Sequence, residues 1–169
     1  MKNTLSIFFL CISMSLFSQK EQITGPNTKL QLNVEMIDGK PVYSVSYEEI
    51  IVIEKAPLGF VTNEGDFVEN LVFVEAKKDR VSKTYTQDKI KQSQVTYKAN
   101  TLRYTLKDSK ERVFSVLFQV SDNDIAFRYE IDKWGDTRAI VVEQEHTGFS
   151  FPDETTTFLS IDMRPMTGF

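Results

Sequence analysis

From Leu30 onward the chain alternates. Leu30, Leu32, Val34 and Met36 are separated by Gln31, Asn33 and Glu35, the period-two pattern of a strand with one face in a core. "DGK" (38–40) follows, and Gly39 is free to take a positive φ, so the pattern predicts a hairpin turn. Tyr43, Val45 and Tyr47 then point one way and Val42, Ser44 and Ser46 the other, with Pro41 tolerable at the first position of the strand. Glu48 and Glu49 turn the chain into "IIVIE" (50–54), a β-branched run long enough to predict a buried strand. "APLGF" (56–60) breaks that run, and "ENLVFVEA" (69–76) begins another.

The stretch from Lys77 to Lys98 is polar and rich in lysine, which predicts a solvated loop or an edge strand. Lysines along an exposed edge also discourage strand-to-strand aggregation. Beyond it Leu102, Tyr104 and Leu106 alternate with Arg103 and Thr105, and "SKER" (109–112) turns the chain again. In "VFSVLFQVSDNDIAFRYEI" (113–131), Phe114, Val116, Phe118 and Val120 form one face, with Ser115, Leu117 and Gln119 opposite. "SDND" is a turn, built from residues that bond their own backbone and tolerate left-handed φ. In the return strand Ile125, Phe127 and Tyr129 share one face, while Ala126, Arg128 and Glu130 share the other. No segment of ten or more residues has helical periodicity. Short strands with frequent turns predict an all-β, antiparallel β-sandwich.

Charge and compartment narrow the picture. Lys2 followed by the apolar run Leu5–Phe17 and then by "QKEQ" has the form of an export signal, expected to be cleaved near Ser18. The run is too short for a membrane span. Cys11 is the sole cysteine and leaves with that segment; a lipoprotein anchor on it is disfavoured by Leu10 directly before it. The expected organisation is a signal at 1–18 and one sandwich domain at 19–169, destined for the periplasm or the outside of the cell. Removing 18 of the 169 residues leaves 151, enough for a core that holds without disulfides. A net charge of −4, or −5 without Lys2, argues against nucleic acid or anionic membranes as partners.

Candidate chemistry is sparse. Arg128 and Glu130 lie two apart on one face, so they cannot flank a bond as an acid and a base must, and a cross-strand ion pair is the simpler role. "DND" (122–124) resembles the start of a calcium loop but lacks its glycine and distant glutamate, leaving a plain turn. Glu143, Glu145 and His146 cluster in sequence, yet one histidine with two carboxylates on an exposed strand is more simply surface than a metal site. A serine triad or an epimerase would need that one histidine as its base or acid. No "GxSxG", "HExxH" or phosphate-binding glycine loop is present. Trp134 sits in "DKWGD", where it either offers a stacking surface for a sugar or packs on the rim of the sandwich. Tyr85 and Tyr97 are the other candidate sugar platforms. The residues therefore indicate no catalytic residue and no metal site, and leave any carbohydrate-binding residue unassigned.

Several ordered stretches resemble the N-terminal domain of glycoside hydrolase family 97, exported α-glucosidases and α-galactosidases. They are "DGKPVYSVSY" (38–47), "APLGF", "KTYTQDKIKQS" (83–93), "VFSVLFQVSDNDIAFRYEI", "QEHTGFSFPDETTTFLS" (144–160) and "RPMTGF" (164–169). The resemblance covers almost the whole chain after the signal. It implies a galactose-mutarotase-like super-sandwich that packs on a C-terminal (β/α)8 barrel. That barrel carries the catalytic carboxylates and uses calcium; it is absent from this chain. The family's N-terminal calcium-binding glutamate is expected just beyond Phe169. One departure is Asn100-Thr101-Leu102, where the family tends to have Asn-Glu-Leu. The resemblance implies a non-catalytic domain that buttresses the barrel and shapes its sugar cleft. A free-standing carbohydrate-binding or protein-interaction module is the alternative, with an α-linked oligosaccharide as the sugar partner.

Overall fold

The computed structural model describes residues 20–86, 94–136 and 139–156. The expected signal at 1–18, with Cys11, lies outside the described residues, as do 87–93 and "RPMTGF".

The predicted hairpin forms. β1 (Glu21–Thr24), β2 (Leu30–Ile37), β3 (Lys40–Tyr47) and β4 (Ile50–Pro57) make an antiparallel sheet in that order. The turn between β2 and β3 holds Asp38 at φ 50° and Gly39 at φ 75°, the twist a two-residue hairpin needs. Glu48 and Glu49 join β3 to β4 with φ of 48° and 72°. Leu32, Val34, Tyr43 and Val45 are buried, as their alternation predicts.

A second antiparallel sheet has the order β10–β9–β8–β7, from β7 (Val72–Thr86), β8 (Gln94–Lys107), β9 (Val113–Val120) and β10 (Ile125–Ile131). Leu102, Tyr104, Leu106, Phe114, Val116, Phe118 and Val120 are fully buried in the core between the two sheets. Tyr43 of the first sheet meets Phe118 and Phe127 of the second at ring separations of 6.4 and 6.1 Å. A small third sheet, β11–β5–β6, comprises β5 (Phe60–Thr62), β6 (Gly65–Asp66) and β11 (Val142–Glu145). No helix occurs among the described residues, and the all-β antiparallel sandwich expected from alternation is the fold observed.

Two expectations are sharpened. The polar stretch is an edge strand and its partner: β8 pairs with β9 only over Asn100–Lys107, whereas β7 and β8 pair out to Thr86 and Gln94. The distal halves of β7 and β8 thus project as a two-stranded ribbon. The other is a correction. "IIVIE" does form a strand, but it is not buried: Ile50, Ile51 and Val52 are 72%, 57% and 42% exposed. Ser46 pairs with Ile51 and Val45 with Ile53, so Val52 is the extra residue of a bulge at the tip of a hairpin. β-branching predicts a strand and says nothing about what covers it.

Candidate functional site

The segment "EHTGFS" (145–150) closes one edge of the sandwich. The backbone N–H of His146 donates to the carbonyl of Gly59 at 2.9 Å, that of Gly148 to Pro57 at 3.0 Å, and that of Glu54 to Ser150 at 2.8 Å. Two tyrosines from opposite sheets fasten it. Tyr43 Oη donates to the carbonyl of Gly148 at 2.9 Å. Tyr129 Oη accepts the N–H of Gly59 at 2.9 Å and shares a proton with Thr147 Oγ1 at 2.7 Å. Burial pushes the Tyr43 phenol up to about 12, with the neighbouring Tyr129 adding to it. Tyr129 is raised too, by burial first and against its hydrogen bonds to Thr147 and Gly59. Neither phenol ionises near neutral pH, so these are anchors rather than bases.

Glycine is required twice along this edge. Gly59 adopts φ 148°, and a Cβ there would lie 2.8 Å from the carbonyl oxygen of Phe67. At Gly148 a Cβ would lie 2.8 Å from Pro57 Cδ. Beside the fastened segment the sheets part over a groove of about 230 Å³, lined by Leu30, Val45, Ile53, Ile125, Phe127 and Phe149 among others.

This edge is built from "APLGF", "FRYE" and "EHTGFS", which all lie within the region that matches known proteins. A family model described as glycosyl-hydrolase 97 N-terminal matches residues 23–166. The chain belongs to this family. Among solved structures, the crystal structure of a beta-arabinopyranosidase is 44% identical, with a TM-score of 0.79 over 82% of this chain and 22% of that one. A family 97 enzyme from Pseudoalteromonas sp., solved with panose and with acarbose, is 20% identical, with a TM-score of 0.72 over 79% of this chain and 20% of that one. The latter likeness shows the fold. The chain thus spans about a fifth of the length of these enzymes, at 22% and 20%.

Within this family 97 N-terminal domain, the charged candidates have structural partners. Arg128 Nε and Nη2 donate to Glu130 Oε1 at 2.9 and 2.6 Å, and Arg103 on β8 reaches the other carboxylate oxygen. Hydrogen bonds from Arg128, then those from Arg103, hold the Glu130 carboxyl below its usual range against partial burial. In the "SDND" turn, Asp122 accepts the N–H of Asn27 at 2.7 Å and Asp124 accepts Ser121 Oγ at 2.6 Å. Glu143 and Glu145 lie on fully exposed β11, with half-buried His146 just after it. No group of three or more His, Cys, Asp or Glu among the described residues is arranged to hold a metal ion.

Trp134 packs on the rim. Its indole stacks on Phe67 with centroids 4.7 Å apart, and Nε1 donates to the carbonyl of Val113 at 2.9 Å. Over both rings lies the guanidinium of Arg112, 4.9 Å from the Phe67 centroid and 5.4 Å from that of Trp134. Arg112 Nε and Nη2 donate to Asp108 Oδ2 at 2.8 and 2.5 Å, and Nη1 donates to the carbonyl of Glu64. Burial alone would raise the Asp108 carboxyl, yet its bonds to Arg112 and to the backbone N–H of Arg112 and Lys110 outweigh that and hold it low.

A groove of about 250 Å³ beside this pair gathers Asp66, Glu69 and Asp108. Each is engaged: Asp66 accepts the N–H of Val68, Glu69 pairs with Lys40 at 3.1 Å, and Asp108 holds Arg112. A general acid needs a raised pKa, and Asp108 moves the other way. The Asp108–Arg112 clamp is the feature sequence reasoning missed. Its only sequence signal is the charge pair four apart in "DSKER", which an exposed turn shows equally well.

Tyr85 and Tyr97 share one face of the projecting ribbon. Tyr85 stands opposite Val95 and Tyr97 opposite Lys83, so the two rings are diagonal neighbours. Tyr85 is 44% exposed, while Tyr97 is half-buried.

Proposed function

We propose that this chain is the non-catalytic N-terminal sandwich of an exported family 97-type glycosidase, directed outward by residues 1–18. Its role is to support the catalytic (β/α)8 barrel and to form one wall of its sugar cleft. The observation that carries this reading is the family match over residues 23–166 in a chain that spans only 22% of the beta-arabinopyranosidase. The state of the carboxylates supports it. Glycoside hydrolysis needs an acid and a second carboxylate roughly 5 Å apart for retention or 6.5–9.5 Å for inversion. Asp66, Glu69, Asp108 and Glu130 are instead tied to cations or backbone N–H groups. The calcium of the family is assigned to the remainder of the enzyme. The 44% identity to the beta-arabinopyranosidase favours an arabinopyranoside or a related pyranoside as the substrate of the whole enzyme.

The test is hydrolysis of chromogenic α-glucoside and β-arabinopyranoside by the purified chain. No turnover is expected, and turnover that survives rigorous purification overturns the assignment. A second reading, a sugar-binding module, is favoured by the exposed face of Tyr85. Under it the chain binds panose, and Tyr85→Ala abolishes that binding.

A further inference from the structure

At one end of the sandwich the first sheet runs a row of residues past the second. Leu30, Tyr47 and Ile50 stand opposite one another across β2, β3 and β4. They lie on the side of the sheet that carries the next rows, Leu32–Val45–Ile53 and Val34–Tyr43–Ala56, toward the core. Those inner rows are covered; along the end row exposure climbs from 8% at Leu30 to 39% at Tyr47 and 72% at Ile50. The groove beneath Phe149 opens beside this row through Leu30 and Ile53. Phe149, which lines that groove, adds apolar surface at 59% exposure. This is core-facing surface without a cover, which marks an interface.

The chemistry selects the occupant. The most exposed member of the surface is aliphatic: Ile50, at 72% against 59% for Phe149 and 39% for Tyr47, offers neither a π-face nor a hydrogen bond to a sugar. The rim is acidic on balance: Glu48 pairs with Lys29 at 2.6 Å, but Glu49 and Glu54 have no cationic partner among the described residues, and Asp124 stands at the lip of the groove. Two copies meeting face to face would bring these acidic rims together on chains that each carry a net charge of −4.

We propose that this end of the sandwich docks the portion of a family 97 enzyme that this chain does not span, through an apolar surface edged by lysine or arginine. The proposal rests on the reading above, that the chain is one part of a larger glycosidase.

The test is a chimera in which residues 1–169 replace the matching region of the beta-arabinopyranosidase. The chimera is expected to hydrolyse β-arabinopyranoside and to unfold in one transition. Ile50→Lys with Phe149→Lys, which sets cations against a basic edge, is expected to split unfolding into two transitions. The same pair should move the midpoint of the isolated chain by no more than about 2 °C. Tyr85→Lys, on the ribbon, should leave the single transition intact. An inactive chimera that unfolds in two independent steps without substitution sinks the parent reading and the docking site together. An active, single-transition chimera indifferent to the lysine pair leaves the parent reading standing and removes the docking site. Dimerisation of the isolated chain, or panose binding by it, that the lysine pair abolishes would assign this end to a second copy or to a sugar and overturn the proposal.

Discussion

The two ends of the sandwich are made of similar residues and finished differently. At one end Phe60, Phe67, Phe114 and Trp134 interlock, with Phe60 and Phe67 each 5.2 and 5.6 Å from Phe114, and the Asp108–Arg112 pair lies across them. At the other, Tyr47, Ile50 and Phe149 continue the core-facing surface and nothing among the described residues closes over them. Apolar composition alone does not distinguish the ends. What does is the supply of a lid: an aromatic loop residue with its N–H satisfied, and a cation whose charge is neutralised at short range. One end is a finished core, and the other is half of one.

The largest break of this comparison is Phe114→Ala. Phe114 is fully buried at the centre of the closed end, and its loss leaves a cavity between Phe60 and Phe67. The expected cost is about 4 kcal/mol by urea unfolding. A cost below about 1.5 kcal/mol would mean that the closed end is packed no better than the open one.

Next comes Arg112→Ala, expected to cost about 3 kcal/mol, because the side chain of Asp108 is only 7% exposed and loses its counter-charge. The effect depends on pH with a definite sign. The Asp108 carboxyl is held low in the folded protein, so its contribution is complete above the unfolded value of about 4 and is lost as pH falls through the lower folded value. The gap between wild type and Arg112→Ala should therefore be widest near pH 7 and shrink on acidification below about 4. A gap that widens with acid would refute the clamp. Arg112→Lys restores little of the loss, since a lysine supplies neither the two-pronged contact nor the flat face over Phe67 and Trp134.

Gly148→Ala tests the edge that joins the two ends. The new methyl would press on the Pro57 ring at 2.8 Å and push the fastened segment away from β4. About 2 kcal/mol is expected, with faster amide exchange at Gly148 and Glu54. Unchanged exchange there would show that the strand is held elsewhere than at Tyr43 and Tyr129.

Sequence made the closed half legible and the open half misleading, for one physical reason. Alternation reports which face a side chain takes, and it placed Leu32, Tyr43, Val45, Phe114, Phe118 and Tyr104 correctly on core faces. It also puts Tyr47 on the same face as Tyr43 and Val45, and the register sets Ile50 opposite it, yet burial depends on how far the opposing sheet extends. That is a long-range property no local pattern encodes. Arg128 and Glu130 were legible as a surface pair, but their link to Arg103 required the register of three strands. Sequence does not choose between the two roles of Trp134, because a loop residue has no period, and contact with Phe67 decides between them only in three dimensions.

The smallest expected effect is the sharpest test of the open end. Ile50 is 72% exposed, so Ile50→Ser removes little surface that the isolated chain buries. Its unfolding free energy should change by no more than about 0.5 kcal/mol. Leu32→Ser, two residues along β2 from the end row and fully buried, is the matched control and should cost several times more. The ratio of the two losses measures how abruptly cover ends along one sheet face. If Ile50→Ser cost 2 kcal/mol, comparable to a core truncation, then residues of this same chain would be closing the row and the end would not be open to any partner. If it is neutral, the Ile50 end of the row is a surface whose apolar character does nothing for the stability of the chain that carries it. An apolar row of that kind is best accounted for by an interaction made outside the chain.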